Sequence, residues 1–426
     1  MKNVLTITSI FFITTLFAQS GHLMQGVGAA NMSMGGASTA QPIDISGALK
    51  WNPAAISAFE GSTISLNVGL FVANPQISST VPTPNGPMSG TSTDVKSNSI
   101  MPSLGFVYGK KDSKHTFGAF AFGVSGFGVD FPESTTNPIN MPQSMGGFGN
   151  LTSNYMMLQT GLSYAYKLSK SVSIGVSPNF NIATLELKPN PTANPTMAGY
   201  PTTNNAIATG FGGQIGIFYQ NQEGFKLGAS YKTEQQFSNF EFENTYLDNS
   251  RSENSFKMNF PAIYSLGVGY SNSKLDLAFD FRQVEYSRTE GFEDYGWSAT
   301  GAVKGFGWKD MQVLSLGAQY KGIKKLPLRV GYTYNTNPIK PELAFFSASA
   351  PAVIQNAYQF GFGYEFSDKL TLNTVYHNAT SDGSSEGPIY NPMLAGQTNP
   401  LGTVPNSKVS YKMDTSMLML GITYKI

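Results

Sequence analysis

The residue types that usually carry enzyme or metal chemistry are scarce in this chain. It has no cysteine, which excludes a disulfide scaffold, a Cys-based zinc site and a thiol nucleophile. Its three histidines, His22, His115 and His377, lie far apart without an HExxH spacing, so no metal site is expected. Gly-x-Gly recurs at Gly210 and Gly212, at Gly267 and Gly269, and at Gly361 and Gly363, but without the strand-to-helix context of a phosphate loop, and no cofactor is expected. Lys and Arg total 27 against 26 Asp and Glu, a net charge of +1, and no segment concentrates the basic residues, so a nucleic-acid partner is not expected either. The remaining function classes are binding and transport.

The elements that hold these residues follow from composition. Over 426 residues only 12% are charged, against roughly 25% in a soluble domain. Yet mean hydropathy is only −0.14, too low for a bundle of membrane helices. A transmembrane β-barrel satisfies both, because its strands alternate an apolar residue toward lipid with a small or polar one toward the lumen. Leu275, Leu277, Phe279 and Phe281 share one face, with Lys274, Asp276, Ala278, Asp280 and Arg282 on the other. The same period of two recurs at 162–168, 225–231, 264–270, 358–364 and 418–424. Counting such segments gives about fourteen, an even number as bacterial single-chain barrels require.

Short turns, such as 111–113, 169–170, 221–224, 272–273, 321–325 and 367–368, alternate with long connections near 75–98, 131–153, 189–209, 240–255, 287–308, 337–350 and 381–407. Short periplasmic turns and long external loops set the orientation, with both chain ends periplasmic. Residues 1–18 read as a secretory signal: Lys2, an apolar run from Val4 to Phe17, and Ala18 before the expected cleavage point. Residues 19–60 do not alternate. They read as short helices and turns on small residues, too few for a core of their own, and form a plug if threaded back into the lumen. Residues 61–426 form the barrel.

These same residues resemble the hatch of the FadL/TodX family, outer-membrane transporters of long-chain fatty acids and other hydrophobic compounds. The resemblance rests on Met34-Gly35-Gly36-Ala37-Ser38-Thr39-Ala40, on Asp44, and on Asn52-Pro53-Ala54 just before the first strand. Gly307-Trp308-Lys309-Asp310 also resembles a family feature at the start of the tenth strand. The chain departs from other outer-membrane barrels in ending on Ile426 instead of Phe, with Tyr424 two positions earlier.

The resemblance implies an outer-membrane monomer inserted by the barrel assembly machinery. It implies capture of a fatty acid or other hydrophobic ligand in a groove on the external loops, binding in the lumen, a hatch shift, and sideways exit toward outer-membrane lipid at a kink in the third strand. The groove would use Met197, Tyr200, Phe240, Phe242, Tyr246 and Leu247, for each of which the alternative is packing between loops. The kink would fall in Gly123-Val124-Ser125-Gly126-Phe127-Gly128, three glycines in six residues of a strand. The other Gly-x-Gly pairs read instead as lumen-facing gaps that admit the hatch. Lys309 would pair the substrate carboxylate, or else only Asp310 or solvent. The family's second basic position falls on Thr184, with Lys188 on the same face.

Two further classes compete with transport. A barrel of this type can bind protein cargo for a secretion system without conducting anything. A lipase would need Ser with His and an Asn or Asp partner; His377-Asn378 is the only local hint, and polar lining is the simpler reading, so no enzyme is expected.

Overall fold

A computed structural model describes residues 22–96, 98–381, 383 and 385–426. The signal segment 1–18 lies outside the described residues. Fourteen antiparallel strands close into one barrel. In chain order they are β1 (Gly61–Thr83), β2 (Ser99–Gly109), β3 (His115–Phe131), β4 (Leu151–Lys167), β5 (Val172–Lys188), β6 (Ala206–Gln220) and β7 (Phe225–Lys232). There follow β8 (Ile263–Ser271), β9 (Leu275–Val284), β10 (Met311–Tyr320), β11 (Leu328–Asn335), β12 (Ile354–Glu365), β13 (Leu370–Ser381) and β14 (Lys408–Lys425). Closure runs from Thr63 opposite Lys425 to Thr80 opposite Lys408. Because every spanning backbone group must find a partner inside the protein, closure removes the edges that lipid could not satisfy.

The pleat sorts the side chains. In β1, Leu66, Val68 and Leu70 face outward and are exposed, while Ser65 and Asn67 are buried. In β9, Leu275, Leu277 and Phe279 are exposed, whereas Asp276, Asp280 and Arg282 are buried in the lumen. Among the described residues no helix is long and apolar enough to cross a membrane, as expected when strands do the crossing.

Residues 22–60 fill the lumen as two short helices, α1 (Ala29–Met32) and α2 (Ile45–Trp51), and a 3-10 turn at Pro53–Ala58. Asp44 caps α2 by accepting from the Gly47 N–H at 3.2 Å. At several places the plug reaches the wall where a glycine leaves room for it. A Cβ on Gly216 would lie 2.0 Å from Asn52 Oδ1, and one on Gly228 would lie 2.0 Å from the Thr39 carbonyl oxygen. Of the Gly-x-Gly pairs, Gly267, Gly269 and Gly361 also face plug atoms, whereas Gly210 and Gly212 make room for Phe237 and Gln235, and Gly363 for Pro327.

Candidate functional site: an aromatic chamber beside a gap in the wall

One part of the wall is not zipped. β2 pairs with β3 only from Ser103 opposite Phe122 to Gly109 opposite Thr116. Pro102, the next residue of β2, has no N–H to continue the ladder. Across from it, the β3–β4 register shifts between Gly123 and Ser125, the mark of a bulge. From there β3 stays paired with β4 out to Phe131 but leaves β2. Its freed edge is taken by the start of the plug. The Met24 N–H donates to the Val124 carbonyl at 3.0 Å, and the Gly126 N–H donates to the His22 carbonyl at 3.0 Å. The Ser125 hydroxyl donates to the same His22 carbonyl at 2.9 Å. Gly123, Gly126 and Gly128 all border this gap. A Cβ on Gly126 would meet only the Tyr155 carbonyl oxygen, at 3.0 Å, while one on Gly128 would run into Lys96 Nζ.

Behind this strap, His22–Met24, lies an apolar cavity of about 340 Å³ that reaches from the barrel interior to the outer face. Buried Tyr155 and Trp308 line it inside, and exposed Ile100 and Met156 line it outside. His22 sits at its inner end in an aromatic chamber. Phe292 stacks on the imidazole at 5.0 Å, with Tyr155, Phe260, Tyr286 and Trp308 within 6.1 Å. The Tyr286 hydroxyl and His22 Nδ1 are 2.7 Å apart, while Nε2 is buried without a partner. Burial pushes the imidazole pKa down to about 3, so His22 is neutral at ordinary pH.

The Asn52-Pro53-Ala54 motif fastens plug to wall. Asn52 Nδ2 donates to the Thr39 carbonyl at 2.8 Å and to the Ile217 carbonyl of β6 at 3.0 Å. Its Oδ1 accepts from the Ala54 N–H at 3.0 Å, and Pro53 opens the 3-10 turn. A second fastening is Asp280, whose Oδ2 accepts from the Ser38 and Thr39 backbone N–H groups at 2.8 and 2.9 Å.

Several expected site residues lie elsewhere. Lys309 is exposed, and its backbone N–H donates to the Pro338 carbonyl. The segment before Met311 is irregular, so Trp308, not Lys309, takes the inward position, and the geometry does not support a carboxylate contact inside the barrel. Lys309 does not pair with Asp310, which instead accepts from the Ser287 N–H at 2.8 Å. Thr184 shares the outward face of Ile182, and Lys188 on that face pairs with Glu186 at 2.5 Å.

In the external loops, Phe240, Phe242 and Tyr246 are buried, because the hairpin formed by Phe240–Thr245 and Arg251–Phe256 turns them into the loop core. Tyr200 is half-buried, its hydroxyl donating to the Gly301 carbonyl at 2.7 Å. Only Met197 and Leu247 of the six groove candidates present exposed apolar surface. His377 is buried in the lumen 3.3 Å from Gln359 Nε2, as polar lining.

A family model described as outer membrane protein transport protein (OMPP1/FadL/TodX) matches residues 10–423. The chain belongs to this family. It is therefore an outer-membrane barrel of a family that transports hydrophobic compounds, not a family of enzymes. No curated protein matches the chain. Among solved structures, a Pseudomonas aeruginosa FadL homologue superimposes with a TM-score of 0.71 at 15% identity, covering 97% of this chain and 100% of that one. The Pseudomonas putida toluene transporter TodX gives 0.68 at 17% identity, covering 94% and 99%. The Ralstonia pickettii toluene transporter TbuX gives 0.64 at 17% identity, covering 94% and 99%. At these identities the likeness is one of fold.

Proposed function

We propose that the protein takes up long-chain fatty acids or similar hydrophobic molecules and releases them sideways into the outer membrane. The external loops receive the molecule, with Met197 and Leu247 as the exposed contacts. The aromatic chamber holds it. A shift of the plug then lifts His22–Met24 from β3 and opens the gap bordered by Gly123, Gly126 and Gly128. The partners in this reading are an apolar ligand, outer-membrane lipid as its destination and, during insertion, the barrel assembly machinery.

One observation carries the proposal: a single apolar cavity touches both the chamber and the lipid-facing side of the wall where β2 and β3 part. An apolar path through a wall gap lets a hydrophobic molecule avoid water throughout its transit. The test uses Gly126, where added side-chain atoms would project into the gap with little else to clash against. Gly126→Val is expected to leave binding of a hydrophobic ligand to the purified protein unchanged and to abolish protein-dependent uptake by cells. Uptake at the wild-type rate, at equal surface level, would place the exit elsewhere.

A further inference from the structure

The gap between β2 and β3 is crossed at its outer end by chain that belongs to neither the plug nor a barrel strand. After the external hairpin strand that ends at Thr93, the chain passes from β1 toward β3. The Asp94 N–H donates to the Pro75 carbonyl of β1 at 3.0 Å, and the Val95 N–H donates to the Asp130 carbonyl of β3 at 3.0 Å. Asp94 Oδ1 accepts from the Asp130 N–H in return. Lys96 carries the crossing one strand further. Its Nζ donates to the Ser153 carbonyl at 3.1 Å and to Asn154 Oδ1 at 3.0 Å, both on β4. Its charged neighbours, Asp94, Asp130 and Glu186, are all acidic and favour the ammonium at this rim.

The reach of Lys96 accounts for a glycine. Gly126 and Gly128 lie opposite Met156 and Asn154 of β4, on the face where Met156 is exposed, so two successive outward positions of β3 carry no side chain. Neither glycine has a positive φ, so space decides what fits there, not backbone conformation. At Gly126 an added Cβ meets only the Tyr155 carbonyl oxygen, whereas at Gly128 it collides with the Lys96 amino group. Lys96 therefore covers the wall where Gly128 leaves it bare. It also lines the cavity, where it and Asp94 are the charged side chains beside neutral His22. A lysine suits such a boundary, since its apolar stem can lie along apolar surface while its head stays among polar partners.

We infer that Lys96 sets the width of the outlet and so restricts release to slender molecules, a linear chain or a single ring. With Lys96 in place, the bare stretch of β3 is limited to Gly126. Without it the stretch runs on to Gly128, about 7 Å further along the strand. A fused-ring hydrocarbon needs that added length, and a linear chain passing end-on does not. The strap His22–Met24 and Lys96 close different parts of one gap, the first from the plug and the second from the external connection after β1. This refines the substrate class within the transport reading and rests on that reading.

The experiment compares wild type, Lys96→Ala and Lys96→Arg at equal surface level, each first checked for heat-modifiable migration. One quantity read is the ratio of protein-dependent uptake of pyrene, a wide fused-ring hydrocarbon, to that of dodecanol, a slender chain. The other is hydrogen-exchange protection of the Val95 amide in the detergent-purified full chain. Loss of the charged hydrogen bonds to β4 predicts that Val95 protection falls about tenfold or more in Lys96→Ala. In the same variant the pyrene-to-dodecanol ratio is expected to rise about tenfold, the lower end of what steric selection against one extra group supplies. Arginine keeps the reach, the charge and the donors, so both quantities should return toward wild type in Lys96→Arg. A ratio that stays the same in Lys96→Ala, or rises equally in Lys96→Arg, would overturn the proposal, as would Val95 protection that ignores Lys96→Ala. If dodecanol uptake by wild type does not exceed that of cells lacking the protein, the transport reading fails instead. The Val95 measurement still decides whether Lys96 holds the outlet, so the two failures are distinct.

Discussion

His22 shows how one residue's environment sets a condition on the plug. In the docked strap its pKa is about 3, against 6.5 for an ordinary histidine, and burial is the cause. The sign follows from linkage. The released strap binds a proton that the docked strap excludes, so docking is fully favoured above about pH 6.5 and loses ground as pH falls toward 3. Each unit in that window costs about 1.4 kcal/mol, a factor of about ten in the docking equilibrium. Hydrogen-exchange protection at the Met24 and Gly126 amides, corrected for intrinsic rates, is expected to fall about tenfold per unit between about pH 6 and 4. Amides of the β9–β10 ladder should not follow. In His22→Phe, which keeps a ring in the chamber but cannot titrate, the dependence should vanish; a flat profile in wild type would show that protonation is not coupled to docking. The chamber itself was not legible in the sequence. His22, Phe260, Phe292 and Trp308 are scattered over almost 300 residues with no shared period, and only closure of the barrel brings them together.

At the scale of elements, the contact between plug and wall is polar and specific where the barrel's own strength is repetitive. Asn52 spends both ends of its amide on three partners in two elements, at no exposure to water. Asn52→Ala would leave the Thr39 and Ile217 carbonyls and the Ala54 N–H without this partner, each at a cost of about 1 to 3 kcal/mol. None of these bonds belongs to the barrel ladder, so assembly should be intact and the damage confined to the plug. We expect normal surface levels with reduced uptake of a hydrophobic substrate, and uptake equal to wild type at equal surface level would show that the motif is not mechanical. The position of this motif and the alternation of the strands were legible because both are local patterns. Lys309 was misplaced because the resemblance set it at the start of the tenth strand, whereas the strand begins only at Met311 and in the irregular chain before it Trp308 is buried and Lys309 exposed. The loop aromatics Phe240 and Phe242 alternate cleanly, but which face of an external hairpin is covered depends on neighbouring loops that no local pattern reveals.

For the molecule as a whole, the decisive feature is that the sheet meets itself. β1 and β14 pair along the full length of β14, so the ends of the chain's strand series close the barrel that the middle strands build. A closed sheet offers no edge on which a second copy could add a strand. Where the wall does open, between β2 and β3, the free edge of β3 is already occupied by His22–Met24. Two consequences follow for the intact protein. It should run as a monomer in detergent, since the barrel ladder closes on itself and His22–Met24 pairs with β3 where the wall opens. It should also resist unfolding by detergent alone, because no strand can peel away without breaking ladders on both of its sides. On a gel the unheated protein is expected to migrate differently from the boiled one, and light scattering of the unheated protein should give the mass of one chain plus its detergent. Identical migration before and after boiling would mean that the ladder between β1 and β14 does not hold in solution, and a dimer mass would mean that a strand edge is open to a second copy.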